Sequence, residues 1–135
     1  MLCYKDLVGI LTAVFYKKGL PLEGPVPSCE IKTGFKGVAG NKGSVSFSFS
    51  IFNSSICVVN CHLAAKKHGI KQRNEDFHKI NSNTRYNTKQ GIKGIYEHDF
   101  VFWIGDLNYR IDDLPYNEIV EAAAGYDFEV LLEKD

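Results

Sequence analysis

Between Phe100 and Arg110 the chain reads Phe-Val-Phe-Trp-Ile-Gly-Asp-Leu-Asn-Tyr-Arg, and no other stretch constrains the fold as much. Its unbroken apolar run, residues 100–104, predicts a strand buried on both faces, as at the centre of an α/β sheet. Gly105 lets the backbone turn. Asp106, Asn108 and Arg110 then emerge at the strand's carboxyl end, where open α/β sheets place their chemistry. A carboxylate, a carboxamide and a guanidinium together suit a hydrolytic site for an anionic substrate. On these residues alone, an Asp-Leu-Asn turn capped by its own side chains fits as well.

The other segments supply the elements of an α/β domain. Residues 7–16 are rich in Val, Ile, Leu and Phe and read as a strand. Residues 17–29, with three prolines and two glycines, read as loop. In residues 44–52, Val45, Phe47, Phe49 and Ile51 alternate with serines, the pattern of a half-buried strand. Asn53-Ser54-Ser55 turns the chain and residues 56–60 return it, predicting an antiparallel hairpin. Ile70, Phe77 and Ile80 follow a helical period, so residues 69–85 predict a helix. Residues 87–97 show no clear period and read as loop. Asp112 or Asp113 can cap a helix starting near Leu114, with Pro115 in its first turn, an inner stripe of Ile119, Ala122 and Ala123, and Gly125 at its end. A further apolar segment starts at Phe128.

At 135 residues and 44% apolar content, the chain matches one domain and is not a disordered class. No apolar run approaches the roughly 20 residues of a membrane span, and the first ten residues lack a signal-peptide cleavage pattern. Cytoplasmic placement is the expectation. Cys3, Cys29, Cys57 and Cys61 show no zinc spacing, so reduced thiols are expected. The zero net charge hides an asymmetry: residues 1–98 hold 14 Lys or Arg against six Asp or Glu, and residues 99–135 hold two against ten. Lys32, Lys36, Lys42, Lys66, Lys67, Lys71 and Arg73 would make a positive rim that concentrates a phosphorylated ligand. They also suit a solvated face or non-specific nucleic-acid contact, but no stacking platform or binding module accompanies them, so nucleic acid is not the expected partner.

Three clusters can carry chemistry. In Gly40-Asn41-Lys42-Gly43, the glycines permit close backbone approach and Lys42 offers a mobile charge for phosphate; a plain β-turn is the alternative. It is not a P-loop, because the spacing is absent and a strand follows. In Asn60-Cys61-His62-Leu63-Ala64-Ala65, His62 at a strand end can contact a phosphoryl oxygen or assist proton transfer, or it can be a structural histidine. In the third cluster, Asp106 can orient a water and Asn108 can fix a nucleophile or oxygen. Arg110 can clamp phosphate or pair with Asp112. His68, His78 and His98 lie in less telling places.

Taken in order, Leu7-Val8-Gly9, Gly40-Asn41-Lys42-Gly43-Ser44-Val45, residues 55–65, Arg73-Asn74-Glu75-Asp76-Phe77 and residues 103–111 closely resemble the inositol polyphosphate 5-phosphatases. The likeness is nearest to the OCRL and type II group, within the endonuclease/exonuclease/phosphatase superfamily. The joint occurrence of His62-Leu63-Ala64-Ala65 and Trp103-Ile104-Gly105-Asp106-Leu107-Asn108-Tyr109-Arg110-Ile111 is highly specific. The resemblance implies a partial DNase I-like two-sheet sandwich with flanking helices, incomplete at both ends, and makes residues 1–135 the central part of a 5-phosphatase catalytic domain. It implies Mg²⁺-dependent removal of the 5-phosphate from phosphoinositide lipids or soluble inositol phosphates. Asp106, Asn108 and His62 become catalytic residues, and Lys42, Asn41 and Arg110 phosphate-binding ones. Asn60, Arg73 and Asn74 become structural supports.

Departures accompany the likeness. Val38-Ala39 stands where a basic–apolar pair is common, Lys36 two residues upstream lacks the bidentate fork of an arginine, and Cys61 stands where serine is common. The family's Asn motif and metal-ligating Glu are expected ahead of Leu7, and its basic headgroup-binding stretch, PxWCDRIL-type motif and Asp-His pair after Asp135. The expectation is therefore no metal ligand within the chain and negligible turnover from it alone. Peripheral contact with endomembranes or the plasma membrane, and small GTPase or adaptor partners, would come through other domains. The rival reading is a non-catalytic module that binds phosphoinositides or a protein; a superfamily nuclease is disfavoured by Tyr109-Arg110 and by the block from Gly40 to Ala65.

Overall fold

Alternation, turn residues and helical period organise the chain into a central sheet with one β layer and one α layer against it. The computed structural model describes residues 1–34, 41–66, 68–111 and 113–135. Strands β1 (Cys3–Leu7), β2 (Ile10–Val14), β3 (Leu22–Glu23), β4 (Ser28–Lys32), β5 (Gly43–Ile51) and β6 (Ser54–His62) precede helix α1 (Ile70–Asn83). Strands β7 (Tyr86–Thr88) and β8 (Gly91–Lys93), a 3-10 turn (Ile95–Glu97) and β9 (Phe100–Asp106) follow, then helices α2 (Tyr116–Ala124) and α3 (Phe128–Leu132).

The main sheet runs β3-β5-β6-β9, with β4 also paired to β5. Every pairing in it is antiparallel except β6 with β9, which is parallel. Paired residues share a face, so Val45, Phe47 and Phe49 lie on one side, where they pack with Leu7 and Ile10 of the β1–β2 hairpin. On the other side Cys57, Val59 and Cys61 pack with Ile80 of α1, Tyr86 and Ile95. This is the mixed α/β, two-β-layer arrangement with a flanking helix that the sequence predicts. Among the described residues no helix is long and apolar enough to cross a membrane.

Several local expectations are corrected. Residues 7–16 are not one strand: the chain reverses at Val8-Gly9, Gly9 taking φ +81°, and β1 and β2 form a hairpin. The proline-rich stretch holds β3, and β4 begins at Ser28. Residues 87–97 contain a hairpin and a 3-10 turn rather than plain loop. The β5–β6 turn lies at Phe52-Asn53, with Phe52 at φ 54°.

Two burial expectations also change. The serines of β5 do not face water, because α1 and the 3-10 region cover them: Ser44, Ser46 and Ser48 are buried. Ser46 Oγ donates to the Cys29 carbonyl at 3.3 Å, and Ser48 Oγ lies 2.7 Å from His98 Nε2. Strand β9 is not central; among the described residues it pairs with β6 alone, and Phe100, Phe102 and Ile104 are exposed.

At the carboxyl end, Pro115 is the N-cap of α2 and no side chain caps it. Asp113 is exposed, and the Asp112 cap lies outside the described residues. Gly125 does end α2, but the left-handed residue is the next one, Tyr126, at φ 59°. Ile119 and Ala122 are half-buried and Ala123 is exposed, so the stripe is only partly covered.

Candidate active site

Three segments meet at one end of the sheet. Lys42 sits immediately before β5, its carbonyl accepting the Thr33 and Gly34 amides at 3.0 and 3.3 Å. Gly43 cannot be another residue: at φ +142° its Cβ would lie 2.0 Å from the Ile31 carbonyl oxygen. That close approach holds Lys42 at the mouth of the sheet, where Gly43 pairs with His62, the last residue of β6. His62 in turn pairs in parallel register with Asp106, the last residue of β9.

The register brings side chains together as well as backbone. His62 Nε2 stands 3.3 Å from Asp106 Oδ2, and Lys42 Nζ contacts the same Nε2. An imidazole nitrogen can accept from the ammonium or, when protonated, donate to the carboxylate, but not both at once. The cluster is therefore suited to an incoming anion that takes up the Lys42 and His62 donors and leaves Asp106 as the acceptor. All three reach solvent, His62 and Lys42 being half-buried and Asp106 exposed.

Gly105 is a different device from the turn residue expected of it. It lies inside β9 opposite Cys61, at φ +121°, and its Cβ would fall 2.0 Å from the Cys61 carbonyl oxygen and 2.6 Å from Asn60 Oδ1. Glycine here draws β9 tight against β6 and sets the His62–Asp106 spacing. The turn comes later. Asn108 adopts φ 56°, its amide donates to Asp106 Oδ1 at 3.1 Å and its Nδ2 donates to the Leu63 carbonyl at 3.1 Å. Asx-type self-capping, the bland alternative, is thus present alongside the charged cluster. The Asn108 amide oxygen is left as an acceptor.

The remaining candidates fall around this core. Asn60 does not face the cluster's ligand side: its Nδ2 donates to the Leu11 carbonyl and Thr12 Oγ1 at 3.1 and 3.0 Å, pinning the β1–β2 hairpin to β6. Arg73 is fully buried on α1 and donates to the Lys66 carbonyl at 3.0 Å. Asn74 accepts from the Tyr109 hydroxyl at 2.6 Å. Asn41 and Arg110 are exposed, without polar side-chain partners among the described residues. Lys36, Val38-Ala39, Gly40, Lys67 and the Asp112 partner proposed for Arg110 lie outside the described residues.

Two buried polar residues escape a reading of the sequence, of which only Asp76 bears on the site. Buried Asp76 accepts the Ala64 amide at 2.9 Å, fixing the loop after His62. Its partner is the amide of a residue in a separate loop, which no helical spacing announces. His98, passed over before β9, is buried and structural, its Nδ1 2.9 Å from the Ile95 carbonyl. Among the thiols, burial pushes Cys61 up to about 11, offset in part by the Trp103 indole N–H donated to it at 3.1 Å. No cluster of three or more His, Cys, Asp or Glu capable of holding a metal occurs among the described residues. Both Asp106 oxygens already face Asn108 and His62, so these residues by themselves do not make a magnesium site.

Comparison with known proteins identifies the family. The family model described as endonuclease/exonuclease/phosphatase family 2 matches residues 1–135. Synaptojanin-2 of Rattus norvegicus is 36% identical over 136 residues, spanning 100% of this chain and 9% of that protein. The type II inositol 1,4,5-trisphosphate 5-phosphatase of Mus musculus is 35% identical over 96% of this chain and 13% of its own length. The chain thus spans about a tenth of these relatives, and identity does not separate the two groups. Among solved structures, the inositol polyphosphate 5-phosphatase domain of SPsynaptojanin, in complex with inositol (1,4)-bisphosphate and calcium ion, superposes with a TM-score of 0.70 at 35% identity, covering 84% of this chain and 31% of that one.

Proposed function

Because the chain belongs to endonuclease/exonuclease/phosphatase family 2, we propose that it forms the central part of a phosphomonoester-hydrolase domain acting on 5-phosphorylated phosphoinositides or inositol polyphosphates. The observation that carries this reading is the convergence of Lys42, His62 and Asp106 at one sheet end. Hydrolysis of a phosphomonoester needs charge neutralised on the equatorial oxygens and a water aligned behind the phosphorus. Lys42 and His62 supply the first. Asp106 accepts a proton of the water, its own position fixed by the Asn108 amide, and the Asn108 side-chain oxygen is a second acceptor beside it. Exposed Asn41 and Arg110 contact the outer phosphates of the headgroup. Mg²⁺, when bound, supplies Lewis-acid neutralisation of the phosphate; its ligand set is not assembled from the described residues. The protein works in the cytoplasm and meets lipid substrates at a membrane surface.

Phosphate release from a soluble 5-phosphorylated inositol phosphate with Mg²⁺ tests this reading on the complete phosphatase domain that contains residues 1–135, because turnover from these residues alone is expected to be negligible. Asp106→Ala and His62→Ala are expected to lower kcat/KM by about a thousandfold each, the scale of losing one preorganised group. Lys42→Ala should act mainly on KM. A complete domain that binds the ligand without turnover would instead make this a binding module. An Asp106→Ala variant as active as wild type would overturn the mechanism.

A further inference from the structure

We propose that Tyr109 is a positioning residue, whose ring and hydroxyl lock the loop carrying Asp106 and Asn108 onto α1. Its hydroxyl donates to Asn74 Oδ1 at 2.6 Å, and its ring lies under the Arg73 guanidinium, 5.3 Å from centroid to Cζ. Arg73 reaches from there to the Lys66 carbonyl, and Asp76 holds the Ala64 amide. Asn108 Nδ2 closes the circuit on the Leu63 carbonyl. One turn of helix therefore holds both loops that follow the paired strand ends, one behind His62 and one behind Asp106.

Backbone geometry shows why these loops need holding. Lys66 has φ 108° and Asn108 φ 56°, conformations that cost non-glycine residues free energy and persist only where surrounding contacts over-determine them. Each is tied by a hydrogen bond into the circuit, at the Lys66 carbonyl and the Asn108 amide group. Tyr109 follows Asn108 directly, so releasing its hydroxyl lets the left-handed turn relax, and with it the Asp106 carboxylate that the Asn108 amide holds. A tyrosine–asparagine bond at the surface is ordinarily worth little. Its placement on a strained turn next to the reacting carboxylate gives this one leverage. The catalytic consequence rests on the phosphatase reading above; the brace itself does not.

The test combines hydrogen exchange with turnover, both measured on the complete domain that contains residues 1–135. Leu63 N–H donates to the Asp106 carbonyl at 3.0 Å and Asn108 N–H to Asp106 Oδ1 at 3.1 Å, so both amides report on the joint. Tyr109→Phe keeps the ring over Arg73 and removes the hydroxyl. It should speed exchange at both amides about fivefold and lower kcat by a similar factor, with KM within about twofold. Asn74→Ala should do the same, and the double variant no more than either single one, because both break one bond. Amides of β5 should not change, which separates the brace from general loosening. Faster exchange at Leu63 and Asn108 in a protein with no phosphatase activity would support the brace and remove the functional reading. Unchanged exchange at both amides, or equal acceleration throughout β5, would overturn the brace whatever the wild-type turnover.

Discussion

Strands β5 and β9 invert what their sequences announce. β5 alternates serine with apolar residues, the pattern of a strand with one wet face, yet it is sealed on both: Val45 and Ser46 are each 0% exposed and Phe47 2%. β9 opens with an unbroken apolar run, the pattern of a strand sealed on both faces, yet Phe100 and Phe102 are 54% and 53% exposed. Position in the sheet decides the outcome. β5 has strands on both sides, the β1–β2 hairpin over one face and α1 with the 3-10 region over the other. Among the described residues β9 has β6 alone for a neighbour, and only its Val101 and Trp103 side is packed. Burial is a property of what comes to lie against a residue, and hydrophobicity reports only the capacity for it.

Substitutions can break or sharpen that contrast. The largest effect should come from Phe47→Ala, about 3–5 kcal/mol of stability in chemical denaturation, the range for emptying an aromatic site in a closed core. Phe102→Ala, half exposed, should cost roughly 1 kcal/mol or less. Equal costs would mean that the open face of β9 is covered in solution. Next comes Gly105→Ala, which must displace the Cys61 carbonyl in the β6–β9 joint. About 1–3 kcal/mol is expected from the backbone alone, whereas Gly91→Ala at φ +114°, with nothing within 4 Å, should stay near the low end.

A separate effect is alkaline. Cys61 keeps its proton up to about 11 when folded, whereas an unfolded thiol ionises near 8.5. The folded state therefore holds the extra proton, so this contribution is intact below about pH 8.5 and lost as pH rises towards 11. Denaturation midpoints for wild type and Cys61→Ser across pH 8 to 11 check the sign. A midpoint for wild type that rises relative to Cys61→Ser over that range would contradict it.

Local signals were legible wherever the chain needed only itself. The β5–β6 hairpin and the α1 period could be read from alternation and from Ile70, Phe77 and Ile80, because turns and amphipathic faces are encoded within a few residues. The β7–β8 hairpin was not legible: its strands are three residues each, too short for a period, and its anchor is Tyr86, the first residue of β7, which is buried. Gly105 was noticed for the wrong reason, since close approach to Cys61 is a long-range fact. The meeting of Lys42, His62 and Asp106 could be anticipated only through the resemblance. The braces built by Asp76 and Tyr109 could not, because hydrogen bonds from a helix to two separate loops leave no mark in spacing.

The parallel joint between β6 and β9 also sets an order of assembly. Lys42 and His62 belong to one hairpin closed by a two-residue turn, a contact that forms early and locally. Asp106 can join only after α1, the β7–β8 hairpin and the 3-10 turn have been laid down between the two strands, a slower closure over a long intervening chain. A growing or partly unfolded chain thus carries the cationic half of the cluster before it carries the carboxylate. On the phosphatase reading proposed above, it would attract a phosphate before it could align water against one, and the last strand to dock would be the one that converts attraction into chemistry.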